Sequence, residues 1–395
     1  MNYHGSLRGT MTLSRRDFSR LAATASASML LPRAFGQAAT GPIAGPNEPT
    51  PKGVKKTRYC IVGLGRISLG HFMPGTRQSE ISEVTALVSG HPEKALKAAA
   101  EYKVPATSIY TYETFDQIRN NPNIDAVYIA LPNSMHAEYT IRAAKAGKHV
   151  LCEKPMCTSV ADARAMIEAC AAANRKLMIA YRCQLEPMNL RAIELIRSGA
   201  LGQVQAIESA NGFNIAPAEW RLARQLAGGG PLMDVGIYSL NACRYLTGEE
   251  PVAISAYSST IDHDGRFSEV EENVSWTMKF PSGILASCNT SYGASMDGYY
   301  KVHGSKGWLQ LSPAFIYEGL HMTGHLNGAG EGDRGKDIDE PEKEHDPWHF
   351  AREADYFATC IDQNLTPKPS GEEGLRDMQY MAQIYRSAGL PFLST

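Results

Sequence analysis

The 395 residues predict two folded domains, an α/β domain with a parallel sheet and a second domain built on a further sheet. Three observations predict it. Strand-like and helix-like runs alternate between residues 57 and 180, the mark of βαβ units. From residue 181 onward, strand-like runs bounded by Gly and Pro become common. The length also exceeds one ordinary domain, and 43% hydrophobic with 20% charged residues leaves ample material for two cores.

Two segments precede the first domain. Ser14-Arg15-Arg16-Asp17-Phe18 holds an arginine pair, and a weakly apolar run follows from Leu21 to Leu31. That run is too short to span a bilayer and is diluted by Ala and Ser, so no membrane anchor is expected. Small residues at Ala34, Gly36 and Ala38 suit a signal peptidase. Residues 1–38 are therefore expected to be a twin-arginine signal peptide that exports a folded protein to the periplasm. Residues 39–56 carry Pro42, Pro46, Pro49 and Pro51 among glycines and favour extended polyproline-type backbone. They read either as a spacer or as an arm lying along a neighbouring surface.

The first domain, 57–180, opens with the buried-type strand Arg58-Tyr59-Cys60-Ile61-Val62, which runs into Gly63-Leu64-Gly65-Arg66-Ile67-Ser68. A glycine pair after a strand lets the backbone close on a pyrophosphate at a helix N-terminus, so this is a dinucleotide-binding, Rossmann-type reading. The third position of the usual pattern, Gly or Ala, is here Ser68. Next come strand Val84–Val88, helix Pro92–Tyr102, strand Ala126–Ala130, helix Ala137–Ala146 and strand His149–Cys152. The second strand ends in Val88-Ser89-Gly90-His91-Pro92-Glu93-Lys94, with no carboxylate at its tip to hold a ribose 2′-hydroxyl. Ser89, Lys94 and Arg66 instead suit a 2′-phosphate, which selects NADP.

Two motifs carry the chemistry. Cys152-Glu153-Lys154-Pro155 leaves the fifth strand at its carboxyl edge, where ligands bind in such sheets. Proline holds Lys154 out of helical conformation, so its ammonium can project into the crevice. Gly228-Gly229-Gly230-Pro231 then leads into a helix with proline near its first position. Leu232, Val235, Ser239, Leu240, Cys243 and Leu246 form its expected buried stripe, and Asp234, Tyr238, Asn241 and Tyr245 a second, polar-aromatic stripe that need not be core. Arg182, Trp220 and Arg221 are further candidates for the substrate site, as are Asn133 and His136. His136 equally suits a helix cap, and Trp220 an inter-domain filler. Loop 211–218 is where substrate specificity is expected.

Gly63-Leu64-Gly65, Pro132-Asn133-Ser134-Met135-His136, Glu153-Lys154-Pro155 and the run from Gly228 to Tyr238 resemble the glucose–fructose oxidoreductase (Gfo/Idh/MocA) family of sugar and inositol dehydrogenases. The likeness runs from about Lys55 to the C-terminus. Tyr181-Arg182-Cys183, Trp220-Arg221-Leu222 and Tyr245 to Pro251 are similar to the periplasmic, NADP-containing branch that includes aldose–aldose oxidoreductases. Many family members carry His where this chain has Tyr238, and that branch has Tyr. The resemblance implies that Lys154, Asp234 and Tyr238 are catalytic and that Lys154, Arg182, Trp220, Arg221, Asp234 and Tyr238 meet the sugar. It implies tightly held NADP at Gly63, Gly65, Arg66, Ser89, Lys94, Pro132, Asn133, His136, Glu153, Lys154 and Arg182. For 181–395 it implies an open, mostly antiparallel sheet through which a homodimer or homotetramer assembles.

The expected reaction is oxidation of an aldose at C1 to a lactone, with the hydride passed to a second sugar to give an alditol. Tyr238 would move the proton, and the Lys154 ammonium would favour its phenolate. Export fits this reading, since a retained cofactor recycled by a second sugar needs no periplasmic NADP pool. Three rivals remain: an ordinary dehydrogenase with exchangeable NADP, a nicotinamide-dependent glycosidase, and a cofactor-locked sugar receptor. A net charge of −2 without a basic block argues against nucleic acid as a partner. The eight cysteines form no C-x-x-C pair and are expected to be buried free thiols, and nothing suggests a metal site. The acidic, glycine-rich stretch from Gly324 to Asp346 is expected to be a surface loop.

Overall fold

A computed structural model describes residues 53–330 and 332–392, so the expected signal peptide and residues 39–52 of the proline-rich segment lie outside the described residues. The first sheet comprises β1 (Thr57–Val62), β2 (Ser82–Val88), β3 (Ile109–Tyr110), β4 (Ala126–Ile129), β5 (His149–Glu153) and β6 (Leu177–Ala180). Its order is β3-β2-β1-β4-β5-β6, with every pair parallel. The strands are near-continuous apolar runs because crossover helices cover both faces. Those helices are α1 (Pro92–Tyr102), α2 (His136–Lys145) and α3 (Val160–Ala172). The order reverses between β1 and β4, and ligands bind such sheets at that switch point.

After α4 (Pro187–Arg197), the chain builds the second sheet from β7 (Val204–Gly212), with α5 (Ile237–Thr247) lying against β7. The sheet continues with β8 (Ala253–Ser259), β9 (Asn273–Lys279), β10 (Leu285–Ser291), β11 (Tyr299–Gly304), β12 (Gly307–Leu311), β13 (His321–Leu326) and β14 (Lys336–Pro341). The order β14-β13-β12-β11-β7-β10-β9-β8 is antiparallel throughout except for the parallel pair β7–β10. β9 shows why it is one-faced: Val274, Trp276 and Met278 are buried, whereas Ser275, Thr277 and Lys279 alternate with them and are exposed.

Two expectations change here. The stretch from Gly324 to Asp346 is not all loop, because within it β14 (Lys336–Pro341) pairs with β13 and forms one edge of the sheet. Alternating Thr, Asp and His hid the strands, whose inward positions are few (Met322, Gly324, Ile338). The chain after residue 181 also does not stay with the second sheet. Helix α6 (Trp348–Asp362) places Phe350, Ala354 and Phe357 in the same core as Tyr59, Ile61 and Tyr128, and Tyr59 Oη donates to Ala354 O at 2.8 Å. Helix α7 (Gly371–Ser387) follows an antiparallel bridge from Ser370 to Met178 on β6. The C-terminal helices therefore return to the first domain: α6 completes the cover of the sheet face that α1 shares, and α7 packs on α3 and β6 while also meeting β8 and α5. All eight cysteines are buried and free.

Candidate active site

A cleft of about 810 Å³ begins at the glycine turn after β1 and ends on β7 and the 293–298 loop. Gly63 has φ +93°, and a Cβ there would lie 2.4 Å from Ala130 O, so only glycine lets β1 turn this close to β4. Gly65 meets nothing within 4 Å and lines the cleft. Ser68, at the departing third position, is buried and donates its hydroxyl to Gly63 O at 2.6 Å, closing the turn that a small residue ordinarily leaves open. The Arg66 side chain is 87% exposed, with a long ion pair of 3.8 Å to Glu219.

β5 delivers Lys154 into this cleft. The Lys154–Pro155 bond is cis. Lys154 Nζ donates to Asp234 O at 2.7 Å and lies 3.4 Å from Asp234 Oδ1 and 4.6 Å from the centre of the Tyr238 ring. Asp234 and Tyr238 come from Leu232–Gly236, a π-turn, and from α5, which continues it. The π-turn adds a residue to the first turn and rotates the following positions, a device common at functional sites. Asp234, Val235 and Tyr238 consequently line the cleft.

The two helical stripes therefore differ from their expectation. Val235 is half-buried at the cleft, while Asn241 and Tyr245 are buried, Asn241 donating to Asp377 Oδ2 and Tyr245 to Asn189 Oδ1, each at 2.8 Å. A period read from sequence cannot register the inserted residue of a π-turn.

The charges of the site are coupled. Burial alone would raise the Asp234 carboxyl. The Lys154 ammonium, the Arg221 guanidinium at 3.0 Å and the Tyr292 hydroxyl at 2.8 Å hold it below the usual carboxylate range. Tyr238 behaves oppositely: burial pushes its phenol well up, and the Arg182 guanidinium opposes this. Its hydroxyl makes no hydrogen bond among the described residues, and its ring lies on Phe315 with centroids 5.5 Å apart. The expected preference for the phenolate beside the Lys154 ammonium is met by this opposing effect of burial. Lys154 sits over the ring face and is bound to Asp234, and burial favours the neutral phenol.

Other expected site residues divide. Pro132, Asn133, His136, Glu153, Arg182, Trp220 and Arg221 all line the cleft, whereas Gly63, Ser89 and Lys94 do not. Ser89 Oγ accepts from His91 N at 3.0 Å and serves the turn after β2, while Lys94 is exposed on the first turn of α1. His136 is neither helix cap nor free ligand group: its two ring nitrogens lie 2.9 Å from Pro155 O and 2.9 Å from Leu131 O. It ties the β4 and β5 exits together. Arg182 is buried and donates to His349 Nδ1 at 2.9 Å, Phe315 O at 2.8 Å and Ile316 O at 3.0 Å, which pins the cleft wall rather than leaving a fork for a ligand. Asn133 Nδ2 donates to Ala227 O at 2.8 Å, joining the β4 exit to the glycine loop. The Glu153 carboxylate accepts from Tyr128 Oη at 2.5 Å and from Lys154 N at 3.2 Å.

Several lining residues were missed. His71, the adjacent Met296 and Asp297, and Tyr317 reach the cleft, and Tyr292 holds Asp234 from just beyond β10. None sits in a motif; the one local signal was the 211–218 loop, from which Asn211, Gly212, Phe213 and Ile215 do line the cleft.

Residues 57–181 match the oxidoreductase family with an NAD-binding Rossmann fold (GFO/IDH/MocA), and residues 189–310 match the GFO/IDH/MocA C-terminal domain. The chain belongs to the GFO/IDH/MocA oxidoreductase family. This member is similar to an aldose-aldose oxidoreductase from Caulobacter crescentus, solved with glycerol: identity is 46% and TM-score 0.80, covering 85% of this chain and 98% of that one. It is 33% identical to a D-xylose 1-dehydrogenase [NADP(+)] of Haloarcula marismortui, over 84% of this chain and 91% of the relative. It is 30% identical to a second D-xylose 1-dehydrogenase (NADP(+)) from Haloferax volcanii, over 84% and 97%.

Proposed function

We propose that the protein is an NADP-dependent sugar oxidoreductase that oxidises an aldose at C1 to a lactone and passes the hydride, from a cofactor it retains, to a second sugar. The reading rests on one observation above all: Lys154 from β5 and Tyr238 from a helix of the second domain meet, with Asp234 between them, on the wall of one cleft. Relatives named aldose-aldose oxidoreductase and D-xylose 1-dehydrogenase [NADP(+)] support the sugar and the dinucleotide.

The residues fit a dinucleotide. Gly65 leaves the turn open, and the tip of β2 carries Ser89 and no carboxylate. Arg66 stands exposed beside the turn, with Lys94 on the first turn of α1, for a 2′-phosphate. When bound, the nicotinamide supplies the acceptor and donor of hydride. Reduction of the second sugar uses Tyr238 as it rests, a phenol that gives its proton to the carbonyl oxygen, which forms the alditol. Oxidation requires its phenolate to take the C1 hydroxyl proton, and Arg182 and Lys154 are the cations placed to stabilise it. Asp234 keeps Lys154 in place and offers a carboxylate to a sugar hydroxyl. The Arg15-Arg16 pair and the apolar run after it support export of this chemistry to the periplasm, and the open face of the second sheet suits assembly as a homodimer or homotetramer.

The test is to purify the exported form, record bound-nicotinamide absorbance and mix it with pairs of sugars. Lactone and alditol should appear in equal amounts, with no NADPH free in solution. A second reading, an aldose dehydrogenase with exchangeable NADP, is favoured by the D-xylose 1-dehydrogenase relatives. Stoichiometric NADPH release with a single sugar would establish it instead.

A further inference from the structure

The helix that carries Asp234 and Tyr238 is held at its entry by residues that do not line the cleft. Glu271, just before β9, is buried, and its carboxylate accepts from Gly230 N at 3.0 Å, from Leu232 N at 3.4 Å and from Tyr385 Oη at 2.6 Å. The first donors of a helix have no partner within it, so this carboxylate serves as a cap supplied from the segment before β9, at the positive end of the helix. Tyr385 belongs to α7 and is fully buried.

The three glycines are explained by close approach. A Cβ at Gly229 would lie 2.0 Å from Tyr385 Oη, one at Gly230 2.4 Å from Glu271 O, and one at Gly228 2.8 Å from Thr158 Cγ2. The last described residues reinforce the contact: Arg224 donates to Pro391 O at 3.0 Å, and the Phe392 ring lies 5.5 Å from that of Tyr385.

We propose that Glu271 and Tyr385 are positioning residues: together they clasp the glycine loop to the C-terminal helix and thereby set the distance of Asp234 and Tyr238 from Lys154. This deepens the proposed function and rests on it for the catalytic role of those three groups. A small displacement of reacting groups can cost as much as about 10²-fold in rate, so the clasp acts through kcat.

The test compares Tyr385→Phe and Glu271→Gln with the parent in the full mature chain. Amide exchange in the 228–236 segment should quicken about tenfold or more, the size expected from losing one hydrogen bond to a charged group. The melting temperature of Tyr385→Phe should fall by only several degrees, and kcat should drop about tenfold at unchanged sugar KM. Glu271→Gln, which keeps an acceptor oxygen, should be milder than Glu271→Ala. Unchanged exchange in that segment, or a loss seen in KM alone, overturns the clasp. The exchange measurement needs no turnover, so a parent protein that moves no hydride would sink the functional reading while the clasp was still decided.

Discussion

Tyr238 is surrounded by the face of Lys154, the ring of Phe315 and the Arg182 charge, and its hydroxyl alone is left for a ligand. Its replacement by Phe keeps the ring contacts and removes the proton carrier. Turnover should fall by about 10²–10⁴-fold, while sugar affinity by calorimetry stays within a few-fold. Because burial holds the phenol neutral, the oxidative half-reaction should speed up with rising pH and the reductive half should slow down, which rapid mixing with one sugar at a time resolves. Identical pH trends for both halves would remove Tyr238 from the proton path. The residues behind this were partly legible. Lys154, Asp234 and Tyr238 follow from a proline-held strand end and a helix spacing, both local. Tyr292, Tyr317 and His71 were not, since each is a lone aromatic or imidazole whose role comes from what the fold sets opposite it. His136 and Arg182 were legible as polar residues at strand exits, yet their donors are taken by backbone carbonyls and His349, because buried polar groups must find partners.

At the scale of elements, α5 is anchored at both ends. Its entry rests on Glu271. Near its exit, buried Arg244 binds Asp377 at 2.5 Å, Glu373 at 3.0 Å and Glu250 at 2.7 Å, joining α5 to α7. Replacing Arg244 with Met leaves the fully buried Asp377 carboxylate without its cation, while Glu373 keeps Arg376, and should cost about 3–5 kcal/mol in urea unfolding. A loss below about 1 kcal/mol would show that the cluster contributes little. Sequence periodicity identified α5 as a helix but not this arrangement, because the two partners on α7 lie more than a hundred residues away and the π-turn shifts the exposed face.

For the whole molecule, the return of α6 and α7 fastens the C-terminal helices to the first domain, and acid should loosen that attachment. His349 on α6 is fully buried; burial, with the Arg182 charge adding, pushes its imidazole down to about 4. In the unfolded chain the same group titrates near about 6.5, so between those values the unfolded state holds more protons. The stabilisation is complete above about pH 6.5 and is lost as pH falls toward about 4, by at most about 1.4 kcal/mol per pH unit. His349→Gln keeps an acceptor for Arg182 and should flatten that slope in denaturant titrations; an unchanged slope assigns the acid sensitivity elsewhere. The acidic β13–β14 hairpin and the homing of α6 show where reading stopped: edge strands have few inward positions, and an amphipathic helix does not state which face it will cover. By itself the sequence determined the alternation that makes a parallel sheet, the glycine turn and the two motifs that carry Lys154 and Tyr238, because each depends on neighbours a few residues apart. Only the tertiary structure decided that the two motifs meet, which donors remain free and what clasps the catalytic helix, because those follow from contacts between segments whose separation along the chain leaves no local trace.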